Sequence, residues 1–263
     1  MNYGRTVHIK NASELQTMRK AGRVNAEILA TVKSLIRPGV STADLNAAAE
    51  EVLKKHGCYS PFKGYGEPPY PASICTSVNE ELVHGIPSAK RILREGDIIS
   101  VDSGTVLEGF VADSAITAAV GEISPEAQKL LEITQGALQD AIQQMCPGKR
   151  TGDISAAIQG YVESRGLHVT REYTSHGVGR QMHEAPMVPN FGEAGTGMVL
   201  RPGVTIAIEP MVLVGTHETR VLRDKWTVIS ADKSLTAHFE HTVAVTDGDP
   251  LVLTAASTAA GRM

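Results

Sequence analysis

The chain has 263 residues, 42% hydrophobic and 21% charged, which suits one large globular domain or two halves of ordinary size and excludes an intrinsically disordered chain. Its formal net charge of -4 argues against a dedicated nucleic-acid binder. Cys58, Cys75 and Cys146 are odd in number and lack C-x-x-C spacing, so neither a disulfide framework nor a structural zinc site is expected, and a reducing compartment fits. The opening residues hold no apolar core of signal-peptide length, and no apolar run approaches the roughly 18 residues of a membrane span. The expectation is a cytoplasmic protein that does not span a membrane.

Taken in order, Ser13 and Gln16 form an S-x-x-Q capping-box pattern, and Leu15, Met18, Ile28, Val32 and Leu35 follow at helical spacing. This helix should stop before Pro38-Gly39. A second should run from Thr42 or Asp44 to Lys55 and end at Gly57. A loop rich in Pro, Gly and Tyr (Pro61 to Pro71) precedes a strand at Ile74 to Val78 and the segment NEELVHGIP, Asn79 to Pro87. Gly96 to Thr117 then reads as a hairpin around Leu107-Glu108-Gly109. With Leu107 and Glu108 as its two loop residues, Asp102 pairs with Asp113, their Cβ atoms about 5 Å apart; a bulged turn makes them diagonal neighbours, within about 8 Å. Two carboxylates so placed call for a cation between them. Ser124 as N-cap and Pro125 at the first helical position start a further helix running toward Met145.

Beyond this point the sequence repeats itself. Arg37 to Gly57 aligns with Cys146 to Gly166 at an offset of 109, matching Pro38 with Pro147, Gly39 with Gly148, Thr42 with Thr151, Asp44 with Asp153 and Gly57 with Gly166. Arg94 to Asp102 aligns with Arg201 to Glu209 at an offset of 107. Two segments in the same order at nearly the same offset imply two halves of one design, about residues 11–121 and 122–250. Asp102 therefore has a counterpart in Glu209. The counterpart of Asp113 should lie on a strand paired with that of Glu209, and the β-like run Leu235 to Thr246 supplies Glu240.

Four carboxylates in one cleft cannot all stay ionised without compensating charge, which a pair of divalent cations supplies. The nearby histidines are His84, His176, His183, His238 and His241. His176 lies among small residues in Thr174-Ser-His-Gly-Val-Gly179 and is the favoured ligand. The pleat sets His241 off the face of Glu240, and His238 reads as structural. Oxygen-rich donors with one imidazole suit Mn, Fe(II) or Co better than a closed Cys/His zinc site, without excluding zinc. Two ions roughly 3.5 to 4 Å apart can activate a water and hold a substrate oxygen at once, which is hydrolase machinery.

These residues carry a resemblance to the bacterial type I methionine aminopeptidases, through NEELVHGIP, GDIISVD with its D-x10-D, SHGVGRQMHEAP, TIAIEPMV and HFEHTVAVT, over Leu15 to Thr246. The resemblance implies an α+β pita-bread (creatinase/aminopeptidase) fold of two pseudo-symmetric halves around a central antiparallel sheet. It implies metal ligands Asp102, Asp113, His176, Glu209 and Glu240, with Asp113 and Glu240 bridging two divalent ions, whether Co, Mn, Fe(II) or Zn. A metal-bridged hydroxide would attack the scissile carbonyl with Glu209 as acid/base. His183 would stabilise the tetrahedral intermediate, and His84 would contact the scissile amide. Tyr70, Cys75, Met182 and Trp226 would form the methionine pocket. Met182, commonly Phe in the family, and Ser175, frequently Gly, depart from its pattern.

The implied substrates are the N-termini of nascent polypeptides with a small second residue, and the family expectation is a monomer. Transient ribosome association is compatible with that role, although no basic run argues for it. Prolidases and Xaa-Pro aminopeptidases usually carry an N-terminal domain ahead of the shared fold, whereas here the pattern starts by residue 15. A type II enzyme would need a long insertion between His183 and Glu209, where only 25 residues intervene. A non-catalytic relative used as a binding module would have lost metal ligands, and all five are present.

Overall fold

In the computed structural model, which describes residues 6–256, the first half runs α1 (Ala12–Leu35), α2 (Thr42–Lys55), β1 (Ile74–Val78), β2 (Glu81–Val83), β3 (Ile98–Leu107) and β4 (Phe110–Ala119). Next come α3 (Pro125–Ile142), α4 (Thr151–Glu163), β5 (His168–Val169), β6 (Thr174–Gly177), β7 (Glu184–Pro189) and β8 (Thr205–Ile208). The chain continues through β9 (Met211–Leu213), β10 (Thr219–Val221), β11 (Val228–Ser230), β12 (Thr236–His238), β13 (Glu240–Ala244) and β14 (Leu251–Val252). Among the described residues no helix is long and apolar enough to cross a membrane.

The helices end where their capping chemistry puts them. For α1 the cap is Asn11, not Ser13: its side chain accepts from the Glu14 amide, and the Glu14 carboxylate accepts from the Asn11 amide. The expected Ser13 and Gln16 lie two residues further in, because Asn11 and Glu14 offer the same three-residue spacing and close the box first. Ser41 and Asp44 make the equivalent box for α2, and the Ser124 hydroxyl caps α3 ahead of Pro125.

A central antiparallel sheet of eight strands follows the order β1-β3-β4-β13-β8-β6-β7, with β14 on β13. Ile28 and Val32 of α1 and Leu45 and Leu53 of α2 pack on Ile74, Ile99 and Val101 of the sheet. Leu130 and Ala137 of α3 and Ile154 and Ile158 of α4 pack on Ile206, Ile208 and Val243. Each pair of helices thus buries one apolar stripe against its own strands.

The sequence repeat reappears as matched hydrogen bonds. Gly39 donates to the Leu93 carbonyl at 2.9 Å, and Gly148 to that of Leu200 at 3.1 Å. Thr42 donates to Arg91 at 3.0 Å, and Thr151 to Met198 at 2.9 Å. The donors are separated by 109 positions and the acceptors by 107, the two offsets of the sequence alignment.

The β3–β4 hairpin turns at Glu108-Gly109, whose φ values of 49° and 77° are those of a type I′ turn. Leu107 therefore pairs with Phe110, Gly104 with Asp113 and Asp102 with Ala115. The directly opposed Asp102–Asp113 pair is thereby corrected to a diagonal one, without a bulge. The shift of two residues preserves the face, because side chains alternate with period two.

Candidate metal centre

The register of the sheet assembles the acidic cluster. Glu240 pairs with Ala115, itself the partner of Asp102, and His241 pairs with Ile208. One step along the β13–β8 ladder, Glu209 comes opposite Glu240. His176 pairs with Ala207, which pairs with Thr242, the neighbour of Asp113 across β4 and β13. All five side chains project from one face, while His241 projects from the other and bonds Thr254 at 2.8 Å.

Strand ends leave backbone groups to satisfy, and side chains satisfy them at the ligands. β8 stops before Pro210, which has no N–H to donate. The Glu209 amide donates to the Ser175 hydroxyl at 2.9 Å, and its carbonyl accepts from Asn190 Nδ2 at 3.1 Å. Ser175 thus supports the Glu209 backbone and does not line the cavity. Thr242 Oγ1 accepts from the Asp113 amide at 2.9 Å and donates to its carbonyl at 2.8 Å. Behind the hairpin, Asn25 of α1 donates to Ser114 Oγ at 2.8 Å and accepts from the hydroxyls of Ser103 at 2.8 Å and Thr105 at 3.0 Å.

The cluster opens into a cavity of about 250 Å³. Asp102, Asp113, His176, Glu209 and Glu240 line it, as do His84, His183, Tyr70, Cys75, Met182 and Trp226, so every site residue expected from the sequence is brought to one place. Tyr70 and Cys75 belong to a buried apolar cluster with Phe62, against which Met182 and Trp226 pack. The Tyr70 and Trp226 rings meet edge to face at 5.2 Å. The imidazole of His183 lies 4.3 Å from that of His176, centroid to centroid.

Among the residues of this wall, sequence reasoning missed His238, Tyr65 and Tyr173. His238 enters the cavity, with Nε2 3.6 Å from Glu209 and 3.9 Å from Glu240. It stands two residues before Glu240, so the period-two rule places it on the same face and was the signal to use. Thr117 Oγ1 holds it by accepting from the His238 amide at 3.0 Å and donating to its carbonyl at 2.7 Å. Tyr65, from the Pro/Gly/Tyr loop, shares a 2.8 Å hydrogen bond with His183 Nδ1, and Tyr173 packs edge to face on His84.

The donors fit a hard or borderline divalent cation. One ligand atom each from Asp113, His176 and Glu240 lie within 4.8 Å of one another, and all three residues are buried. His176 Nδ1 donates to the Gly177 carbonyl at 3.0 Å, so the lone pair of Nε2 faces Glu209 at 3.4 Å and Asp113 at 3.8 Å. Asp102 Oδ1, Asp113 Oδ1 and Glu240 Oε1 are shielded from solvent and have no hydrogen-bond partner among the described residues. Native interiors rarely tolerate one such oxygen, and three together mark a place for a cation.

Electrostatics agree with this. Burial pushes the Asp102 carboxyl up to about 7. Burial, then mutual repulsion, drives Asp113, Glu209 and Glu240 well above the carboxylate range. Burial lowers His84 and His176 to about 4, His238 to about 3 and His183 to about 2, so all four are neutral near pH 7. Cys75, opposite Asp102 on β1, stays a thiol because burial raises its pKa.

Residues 16–247 match the model of metallopeptidase family M24. The chain belongs to that family, among its methionine aminopeptidases. It is 50% identical to the methionine aminopeptidase of Clostridium acetobutylicum over 246 residues, covering 94% of this chain and 98% of the relative. The crystal structure of methionine aminopeptidase from Thermotoga maritima superposes with a TM-score of 0.92 at 44% identity, covering 95% of this chain and 99% of that one. The fold is therefore the pita-bread fold, and the protein is a metal-dependent aminopeptidase. The likeness to the prolidase of Pyrococcus furiosus, with a TM-score of 0.76 at 21% identity, covering 95% of this chain and 66% of that one, shows the fold alone.

Proposed function

We propose that the protein removes the N-terminal methionine from nascent polypeptides whose second residue is small, acting in the cytoplasm with two divalent ions held by Asp102, Asp113, His176, Glu209 and Glu240. The observation that carries this reading is the union, in one cavity, of the shielded carboxylate cluster with the apolar wall of Phe62, Tyr70, Cys75, Met182 and Trp226. Aromatic edges and a neighbouring thioether suit an unbranched, polarisable methionine side chain.

Divalent ions bound here supply Lewis acidity and a water acidic enough to deprotonate near neutral pH. Glu209, partly open to the cavity, takes the proton of the attacking water and passes it to the leaving amine. His183, which shares a 2.8 Å hydrogen bond with the Tyr65 hydroxyl through Nδ1, donates to the oxygen that gains charge. His84, set between Tyr173 and Trp226, orients the scissile amide. Four carboxylates balance two doubly charged ions better than one. Mn, Fe(II), Co and Zn all suit this donor set.

Release of free methionine from Met-Ala-Ser, compared with cleavage of Xaa-Pro dipeptides, tests the substrate. Preference for the proline substrates would overturn it. Glu209→Gln should abolish turnover with the fold intact, and retention of more than about a tenth of the activity would remove Glu209 from its role. Metal-stripped protein titrated with each of the four ions identifies the metal and its stoichiometry.

A further inference from the structure

Lys10 lies in the segment ahead of α1 and is buried, an uncommon state for a lysine. Its ammonium donates to Glu184 Oε2 at 2.6 Å and to the His8 carbonyl at 3.0 Å. Glu184, also buried, spends its other oxygen on the 178–183 loop: Oε1 accepts from the Arg180 amide at 2.7 Å and the Gln181 amide at 3.2 Å. This loop joins β6 to β7 and ends in Met182 and His183, both of which line the cavity.

The fit is close. A Cβ on Gly179 would stand 2.3 Å from Lys10 Cε, so a side chain there would have to push the end of the lysine aside. The Lys10 backbone is itself pinned, its amide donating to the Gly203 carbonyl at 2.8 Å. At the surface, Arg180 reaches Glu14 of α1 at 2.9 Å, a second contact between the same two parts of the chain. By contrast, the β6–β7 ladder that should hold this loop is interrupted, with its register shifting between His176 and Gly177.

We propose that Lys10 is a positioning residue for His183. It fixes the Glu184 carboxylate, and through the two amides that carboxylate accepts, it sets the loop that presents His183 to the reacting carbonyl. A buried ion pair seldom adds stability over apolar packing of equal volume; fixing one backbone geometry is the role assigned to this one. The proposal rests on the role given to His183 above.

The test uses the full, metal-loaded protein with Met-Ala-Ser. Lys10→Met keeps length and bulk and removes the charge. It should lower kcat about 10- to 100-fold, the scale of a displacement near 1 Å at a reacting group, with KM and metal affinity within about twofold. Lys10→Arg should restore most of the loss. In a His183→Ala background, Lys10→Met should cost less than about twofold more, because the group it positions is gone. Equal losses in both backgrounds, or a loss confined to KM, would overturn the proposal. If Lys10→Met fails to fold, Glu184→Gln, which keeps an acceptor for both amides, is put through the same cycle with the same outcomes. His183→Ala alone leaving kcat unchanged is a separate result: it refutes the role of His183 and the proposal with it.

Discussion

Asn25 of α1 donates to the hydroxyl of Ser114, the residue after Asp113, across 2.8 Å. Ser103, the residue after Asp102, pairs with Ser114 across the hairpin and donates to the same asparagine. One fully buried amide therefore backs both ligand-bearing positions. Asn25→Leu removes it and leaves the hydroxyls of Ser103, Thr105 and Ser114 without that partner. A loss of about 2 to 4 kcal/mol in unfolding free energy is expected by chemical denaturation, with weaker metal binding by calorimetry. Unchanged stability would mean that the three hydroxyls find other partners.

The metal-free protein should lose stability as pH rises through neutrality. Asp102 titrates near 7 in the folded state against 3.8 as its ordinary value, so between these values the folded protein holds a proton that the unfolded chain has released. Its contribution therefore falls as pH rises through that window, and Asp113, Glu209 and Glu240, driven well above the carboxylate range by burial and mutual repulsion, act in the same sense. The buried histidines, lowered to between about 2 and 4, act in the opposite sense, but only below their ordinary value of 6.5. From about pH 6.5 to 8 the carboxyls act alone, at about 1.4 kcal/mol per pH unit per proton. Melting curves of metal-stripped protein should shift downward over that range, and a divalent ion should reverse the shift.

Loading the site must also expel those protons, so apparent metal affinity should rise with pH over the same range. Calorimetric titrations in buffers of different ionisation enthalpy count the protons released. At least one per site is expected at pH 6.5, and none would mean that the carboxyls are already ionised in the metal-free protein.

Trp226 packs edge to face on Tyr70 and donates from Nε1 to the Pro68 carbonyl at 3.0 Å. Trp226→Ala opens the apolar wall without touching a carboxylate. KM for Met-Ala-Ser should rise about tenfold or more, with a smaller change in kcat and none in metal stoichiometry. A fall in kcat alone would place Trp226 outside substrate binding.

Much of the site was legible because its rules are local. Strand alternation and the repeat led from Asp102 to Glu209 and from Asp113 to Glu240 without any tertiary information. The hairpin register was not legible, because its turn places Glu108 at a φ of 49°, a conformation that asparagine or glycine would have advertised and glutamate does not. Asn11 was missed as a cap because Ser13 offers a competing pattern two residues later. Tyr65 and Tyr173 reach the cavity from segments with no periodicity, where contact is decided only by tertiary packing.

The five candidate ligands come from five stretches of chain: β3, β4, β6, the end of β8 and β13. Only the β3–β4 hairpin carries two of them, and the other three lie far apart along the chain, so a partly unfolded chain has little hold on a metal. Release of metal should therefore coincide with loss of the whole sheet, bound metal serving as a cooperative lock that fastens both halves of the molecule at once.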